Sequence, residues 1–98
     1  ADEDFLARSY ALNLSGLRQL TQAFEALGLE YVPSYGNFVL VKVGPAARVY
    51  HELLKRGVIV RPVANYQLPE WLRVSIGLPQ DNQRFLDALP HALAAARS

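Results

Sequence analysis

The chain has 98 residues, with no cysteine, no methionine, one tryptophan and only two lysines. Without cysteine there is neither a disulfide framework nor a thiolate metal site. No apolar run approaches the roughly 18–20 residues that a bilayer-spanning helix needs. The opening DEDFLAR is acidic, unlike the basic-then-apolar start of a secretory signal. Ten basic residues against nine acidic ones leave a net charge of +1, and no window concentrates Lys and Arg. That balance argues against nucleic acid or an anionic membrane as the main partner. A cytoplasmic location fits these features. His51 and His91 fall in helical patterns and read as surface residues, because a metal site needs several convergent ligands. No serine sits in a nucleophile elbow, and the glycines form neither a dinucleotide fingerprint nor a P-loop. No complete active site is legible, so the chain reads as a module that contributes ligand contacts. It also starts inside a helical pattern with no initiator methionine, as a piece of a larger protein would.

What is present suffices for one domain: 51% of the residues are hydrophobic. From Asp2 to about Leu27 the apolar residues Leu6, Tyr10, Leu14, Leu17, Phe24 and Leu27 recur at helical spacing. Gly28 suits a left-handed C-cap, and Asn13 is a candidate bend point. Glu30–Val32 predicts a short strand stopped by Pro33, and residues 34–37 carry turn chemistry. Phe38–Val43, rich in β-branched residues, predicts a strand in mid-sheet. Gly44-Pro45 opens a second helix with Val49, Tyr50, Leu53 and Leu54 inward, closed by Gly57. Val58–Val63 and Trp71–Ile76 predict two further strands, with Pro62 placing the first at an edge or strand end. A last helix starts near Pro79 with Phe85, Leu86, Leu89 and Leu93 as its stripe, and Pro90 should kink it or split off its end. The expected fold is α+β: a small antiparallel or mixed sheet backed by helices, in the order α-β-β-α-β-β-α.

Two arginines, Arg61 and Arg73, stand within otherwise apolar strand-like runs. Alternation puts Leu72, Val74 and Ile76 on one face of the second run, and Trp71, Arg73 and Ser75 on the other. If helices cover the aliphatic face, both arginines project from the opposite face or its rim. A guanidinium fork matches a carboxylate or phosphate with two parallel hydrogen bonds, so each is a candidate anion anchor. Solvated surface arginines or internal ion pairs with Asp or Glu are the plain alternatives. Lys42 reads as a solvated strand-end charge and Lys55 as a favourable charge at a helix C-terminus.

GVIVRPVANY, the later LPEWLRVSIGLPQDNQRFLDAL and the upstream PSYGNFVLVKV closely resemble the small C-terminal domain of histidinol-phosphate aminotransferases, fold-type I enzymes of aminotransferase class I/II. The resemblance covers essentially the whole chain, with residues 1–28 matching a linking helix. Two departures are Gln67, where glycine is expected, and Asp81 in place of glutamate before Asn82. The resemblance implies that Arg73 and Arg61 bind the anionic groups of the substrate, with Asn37 and Tyr35 lining the domain cleft and Tyr66 a weaker candidate. It implies pyridoxal 5'-phosphate as cofactor, bound mainly by an absent large domain that supplies the Schiff-base lysine. It further implies amino transfer between histidinol phosphate and 2-oxoglutarate, which yields glutamate, in a homodimer. The fragment alone would be inactive. Rival readings are another fold-type I aminotransferase or related decarboxylase for aromatic or phospho-amino substrates, a free-standing small-molecule-binding domain, and an interaction module built on Trp71 and Arg73.

Overall fold

The computed structural model describes residues 2–33, 37–62 and 69–97, excepting the side chains of 2–12 and 62. The predicted turn at 34–36, Tyr66, Gln67, the end of the third predicted strand at Val63 and the inward positions Leu6 and Tyr10 lie outside that description. Helix α1 spans Asp2–Ala26, β1 Tyr31–Pro33, β2 Phe38–Lys42, α2 Ala46–Lys55, β3 Arg61–Pro62, β4 Trp71–Ser75 and α3 Pro79–Arg97. The expected element order therefore holds. The strands form one antiparallel sheet in the order β1-β2-β4-β3. Hydrophobic alternation decides its faces. Val39 and Val41 of β2 and Leu72 and Val74 of β4 are buried in one cluster with the helices.

That cluster takes Leu20 and Phe24 from α1, Val49 and Leu53 from α2, and Phe85, Leu89 and Leu93 from α3. Phe24 sits at the junction of three elements, with its ring 6.1 Å from Tyr31 and 6.1 Å from Phe85, edge-on to the latter. Tyr31 also donates a hydrogen bond to Glu25 at 2.5 Å, which pushes its phenol above the usual tyrosine range. Truncating a fully buried leucine such as Leu53 or Leu89 to alanine would cost about 2–5 kcal/mol.

Gly28, at φ 72°, ends α1 as expected, and the amides of Gly28 and Leu29 close back on Glu25 and Phe24. Other expectations need correction. The first strand is shifted by one residue and includes Pro33 opposite Val39, because an edge strand tolerates a missing donor. The third pairs over Arg61–Pro62, and Val58–Val60 lie off the ladder. The Val58 amide is taken by the Leu53 carbonyl at the end of α2, so it cannot serve a strand. Pro90 does not split α3, which runs unbroken to Arg97; Ala92, Leu93 and Ala96 are buried beyond it, and their packing offsets one lost backbone bond. Leu27 and Leu54 are exposed, while Leu20, not among the anticipated stripe residues, is fully buried.

Gly16, within α1, faces Ile76 and Asn82 at close range. A Cβ there would lie 2.5 Å from Ile76 Cγ2 and 3.0 Å from Asn82 Nδ2. The Cγ2 of a β-branched residue cannot swing away freely. In an open helix, replacing glycine by alanine stabilises by about 1 kcal/mol. Here the sign should reverse. Gly16→Ala is expected to destabilise by about 1–3 kcal/mol, the usual cost of overpacking, as a lowered urea midpoint. A raised midpoint would refute the contact.

Candidate anion-binding site

The sheet surface away from the helices carries Phe38, Leu40 and Lys42 from β2 and Trp71, Arg73 and Ser75 from β4. Their inward neighbours are buried, and these side chains are exposed or half-buried. Arg73 sits between Leu40 on one side and Arg61 on the other, as direct cross-strand partners. Both arginines are exposed. Opposed residues hold their Cβ atoms about 4.5–5.5 Å apart on the same face, and like charges so placed repel. Among the described residues, neither arginine has an ion-pair partner. The described pairs are Lys42–Glu70 at 3.8 Å, Lys55–Glu52 at 3.1 Å and Arg56–Glu52 at 2.9 Å. The internal-ion-pair alternative is thus not realised among the described residues.

Arg73 is held in place by its neighbour. Its Cζ lies 4.1 Å from the centre of the Phe38 ring, a cation–π contact. The ring covers a face of the cation, leaving N–H edges for a planar oxyanion. Phe38 opposes Ser75, so the Arg73 side chain leans toward the β4 end that Ser75 occupies. Asn37 lies at that end. Its carbonyl accepts from the Ile76 amide at 2.7 Å, and its side chain is exposed. The structure thus brings Arg61 and Arg73 to one sheet face; Asn37 lies at the end of β2 without being placed on that face, and Tyr35 lies outside the described residues. A cleft of about 180 Å³ beyond β3, lined by Val60, Val74, Ser75 and Arg84, contains neither Arg61 nor Arg73. Its wall carries one charge of each sign, Asp81 and Arg84.

One buried polar residue escaped the sequence reading. Asn82 is 3% exposed, and its amide is fully engaged. Its Oδ1 accepts from the Gly77 amide at 2.9 Å, and its Nδ2 donates to Gly77 O at 3.0 Å and to Gln19 Oε1 at 3.1 Å. The only hint in the sequence is an asparagine in the first turn of a helix that follows a glycine-ended strand.

The chain's own lysines do not fit a Schiff-base role. Lys55 points into solvent beside Glu52 at the end of α2, and Lys42 faces Glu70 at the far end of the sheet from Phe38. Among the described residues no cluster of His, Asp and Glu could hold a metal ion, and no described helix is long and apolar enough to cross a membrane.

The fold is an arginine-bearing antiparallel sheet backed by three helices. The chain belongs to the aminotransferase class I and II family, whose pattern matches residues 3–89. It is 66% identical over 95 residues to histidinol-phosphate aminotransferase 1 of Thiobacillus denitrificans, covering 97% of this chain and 25% of that protein. It is 60% identical over 92 residues to the histidinol-phosphate aminotransferase of Methylobacillus flagellatus, covering 94% of this chain and again 25% of the relative. The chain therefore spans about a quarter of the length of the curated relatives it matches. The crystal structure of the histidinol-phosphate aminotransferase from Clostridium acetobutylicum shares the fold, with a TM-score of 0.84 at 20% identity over 97% of this chain and 30% of that one.

Removing one of the two opposed charges tests the site directly. Arg61→Thr is expected to stabilise the ligand-free protein by a few tenths to about 1 kcal/mol, since it relieves a like-charge cross-strand pair. Millimolar phosphate should raise the melting midpoint of the native protein more than that of Arg61→Thr. Equal shifts would count against a shared anion.

Proposed function

We propose that this chain is the small C-terminal domain, residues 1–98, of a pyridoxal-phosphate-dependent histidinol-phosphate aminotransferase, with residues 1–28 as the helix linking it to the rest. The intact enzyme would transfer an amino group between histidinol phosphate and 2-oxoglutarate, forming glutamate, in histidine biosynthesis. The observation that carries this reading is the pair of opposed arginines on the open sheet face, together with the identity to histidinol-phosphate aminotransferases.

In this reading Arg73 grips the substrate's phosphate or carboxylate with its fork, and Phe38 fixes the fork's position. Arg61 shares the same anionic group, whose charge relieves the repulsion between the two cations. Asn37 and Tyr35 border the binding surface. The cofactor supplies the electron sink for amino transfer. Neither lysine of this chain suits its attachment, so its anchoring falls to the remainder of the protein. The chain's own contribution is binding and orientation of the substrate. A cytoplasmic homodimer is the assembly we assign to the intact enzyme, and in isolation this domain would not turn over.

Arg73→Lys in the full-length enzyme keeps the charge but removes the planar fork. Charge-assisted hydrogen bonds contribute about 1.5–3 kcal/mol each, so the KM for histidinol phosphate should rise about ten- to a hundredfold. The cofactor absorbance should stay native. An unchanged KM, or lost cofactor with a normal KM, would refute the clamp. Bound cofactor with turnover of phenylalanine but not of histidinol phosphate would move the substrate to a related branch of the family.

A further inference from the structure

The arginine strand is tied down at its exit by an amide cluster that belongs to other elements. β4 ends at Ser75, and the amides of the next two residues are both engaged. The Ile76 amide goes to Asn37 O, and both backbone groups of Gly77 go to the side chain of Asn82. Asn82 then spends its remaining donor on Gln19 of α1. Gln19 in turn donates to Pro79 O at 3.2 Å and to Gln83 Oε1 at 3.3 Å, both in the first turns of α3. Gly16, one helical turn before Gln19, lets α1 come into contact with Ile76 and Asn82. Asn82 is buried, while the two acceptors of Gln19 on α3 are solvent-exposed.

A continuous chain of contacts thus links α1 to the exit of the strand that bears Arg73. Four residue steps run from Arg73 to Gly77, at most about 13 Å at roughly 3.3 Å per step. As far as Ser75 the β2–β4 ladder keeps the strand stiff, with Phe38 opposite Ser75 and Leu40 opposite Arg73. A polar tie, unlike an apolar contact, has a directional optimum, so it sets the helix at one angle and height against the strand. We propose that Gln19 and Asn82 are positioning residues that register α1 against the exit of β4 and so set where the Arg73 fork stands relative to the substrate. The proposal rests on the anion-binding reading of Arg73 and deepens it.

The test is steady-state kinetics of the full-length aminotransferase on histidinol phosphate, with melting midpoints measured in parallel and Arg73→Lys as reference. Asn82→Ala opens a buried corner and threatens folding, so Gln19→Ala carries the weight, since it leaves both Asn82–Gly77 bonds in place. Misplacing a binding group by about 1 Å costs up to roughly a hundredfold. For the partial loosening in Gln19→Ala we expect KM to rise about three- to tenfold, with kcat within about twofold of native. Gln19→Glu keeps an oxygen that accepts from Asn82 Nδ2 but loses the donor to Pro79 O and Gln83 Oε1, so its KM should fall between those of the native enzyme and Gln19→Ala. A lowered melting midpoint with native KM in Gln19→Ala would make the cluster merely structural and overturn the proposal. So would a KM as high in Gln19→Glu as in Gln19→Ala. If Arg73→Lys raises KM and Gln19→Ala does not, this inference alone fails. If Arg73→Lys leaves KM unchanged, the anion reading fails and takes the inference with it.

Discussion

The repulsion between Arg61 and Arg73 is the constraint around which the domain is arranged. Two guanidinium groups opposed on adjacent strands repel each other, and they stand on a sheet whose other face is packed against the helices. Val39, Val41, Leu72 and Val74 are buried on the opposite side of the two central strands, and three helices close over them. The ladder between β2 and β4 carries five opposed pairs, and one of those five sets Arg73 beside Leu40. Electrostatic strain at the surface is thus confined by apolar packing a few ångströms below. Water and salt screen it in part, and a bound anion would relieve it further.

Phe38 and Asn82 restrain the same strand in different ways. Phe38 acts on the cation itself, giving the guanidinium a hydrophobic and electrostatic rest. Asn82 acts on the backbone, replacing at the strand exit the partners that a longer ladder would have given to Gly77. Buried backbone groups need such partners, and a side-chain amide with one acceptor and two donors can satisfy both of them at once. Gln19 uses the donor left over. The polar cluster is therefore fully paired, consistent with the lack of unsatisfied buried side-chain atoms among the described residues.

Much of this was legible in the sequence. The order of elements followed from periodicity and turn chemistry. The face on which Arg73 stands followed from the strict alternation of β4. The errors share a physical origin in competition between elements. Val58 looks like a strand residue, but its amide is claimed by the end of α2. Pro90 looks like a helix breaker, but the alanines and leucine beyond it are held by the core. Leu27 and Leu54 sit at helix ends where the covered stripe runs out. The pairing of Arg61 with Arg73 depends on strand order and register, which no single segment encodes. Asn82 was invisible for a related reason, since a buried polar side chain has no period and is identified only by what surrounds it.

Proline closes both borders of the sheet. Pro33 ends β1, Pro62 ends β3, and these are the two outer strands. An edge with a missing donor is a poor template for an incoming strand. The domain can therefore travel as a body, or be displayed beside many copies of itself at high concentration, with little tendency to zip into extended sheets.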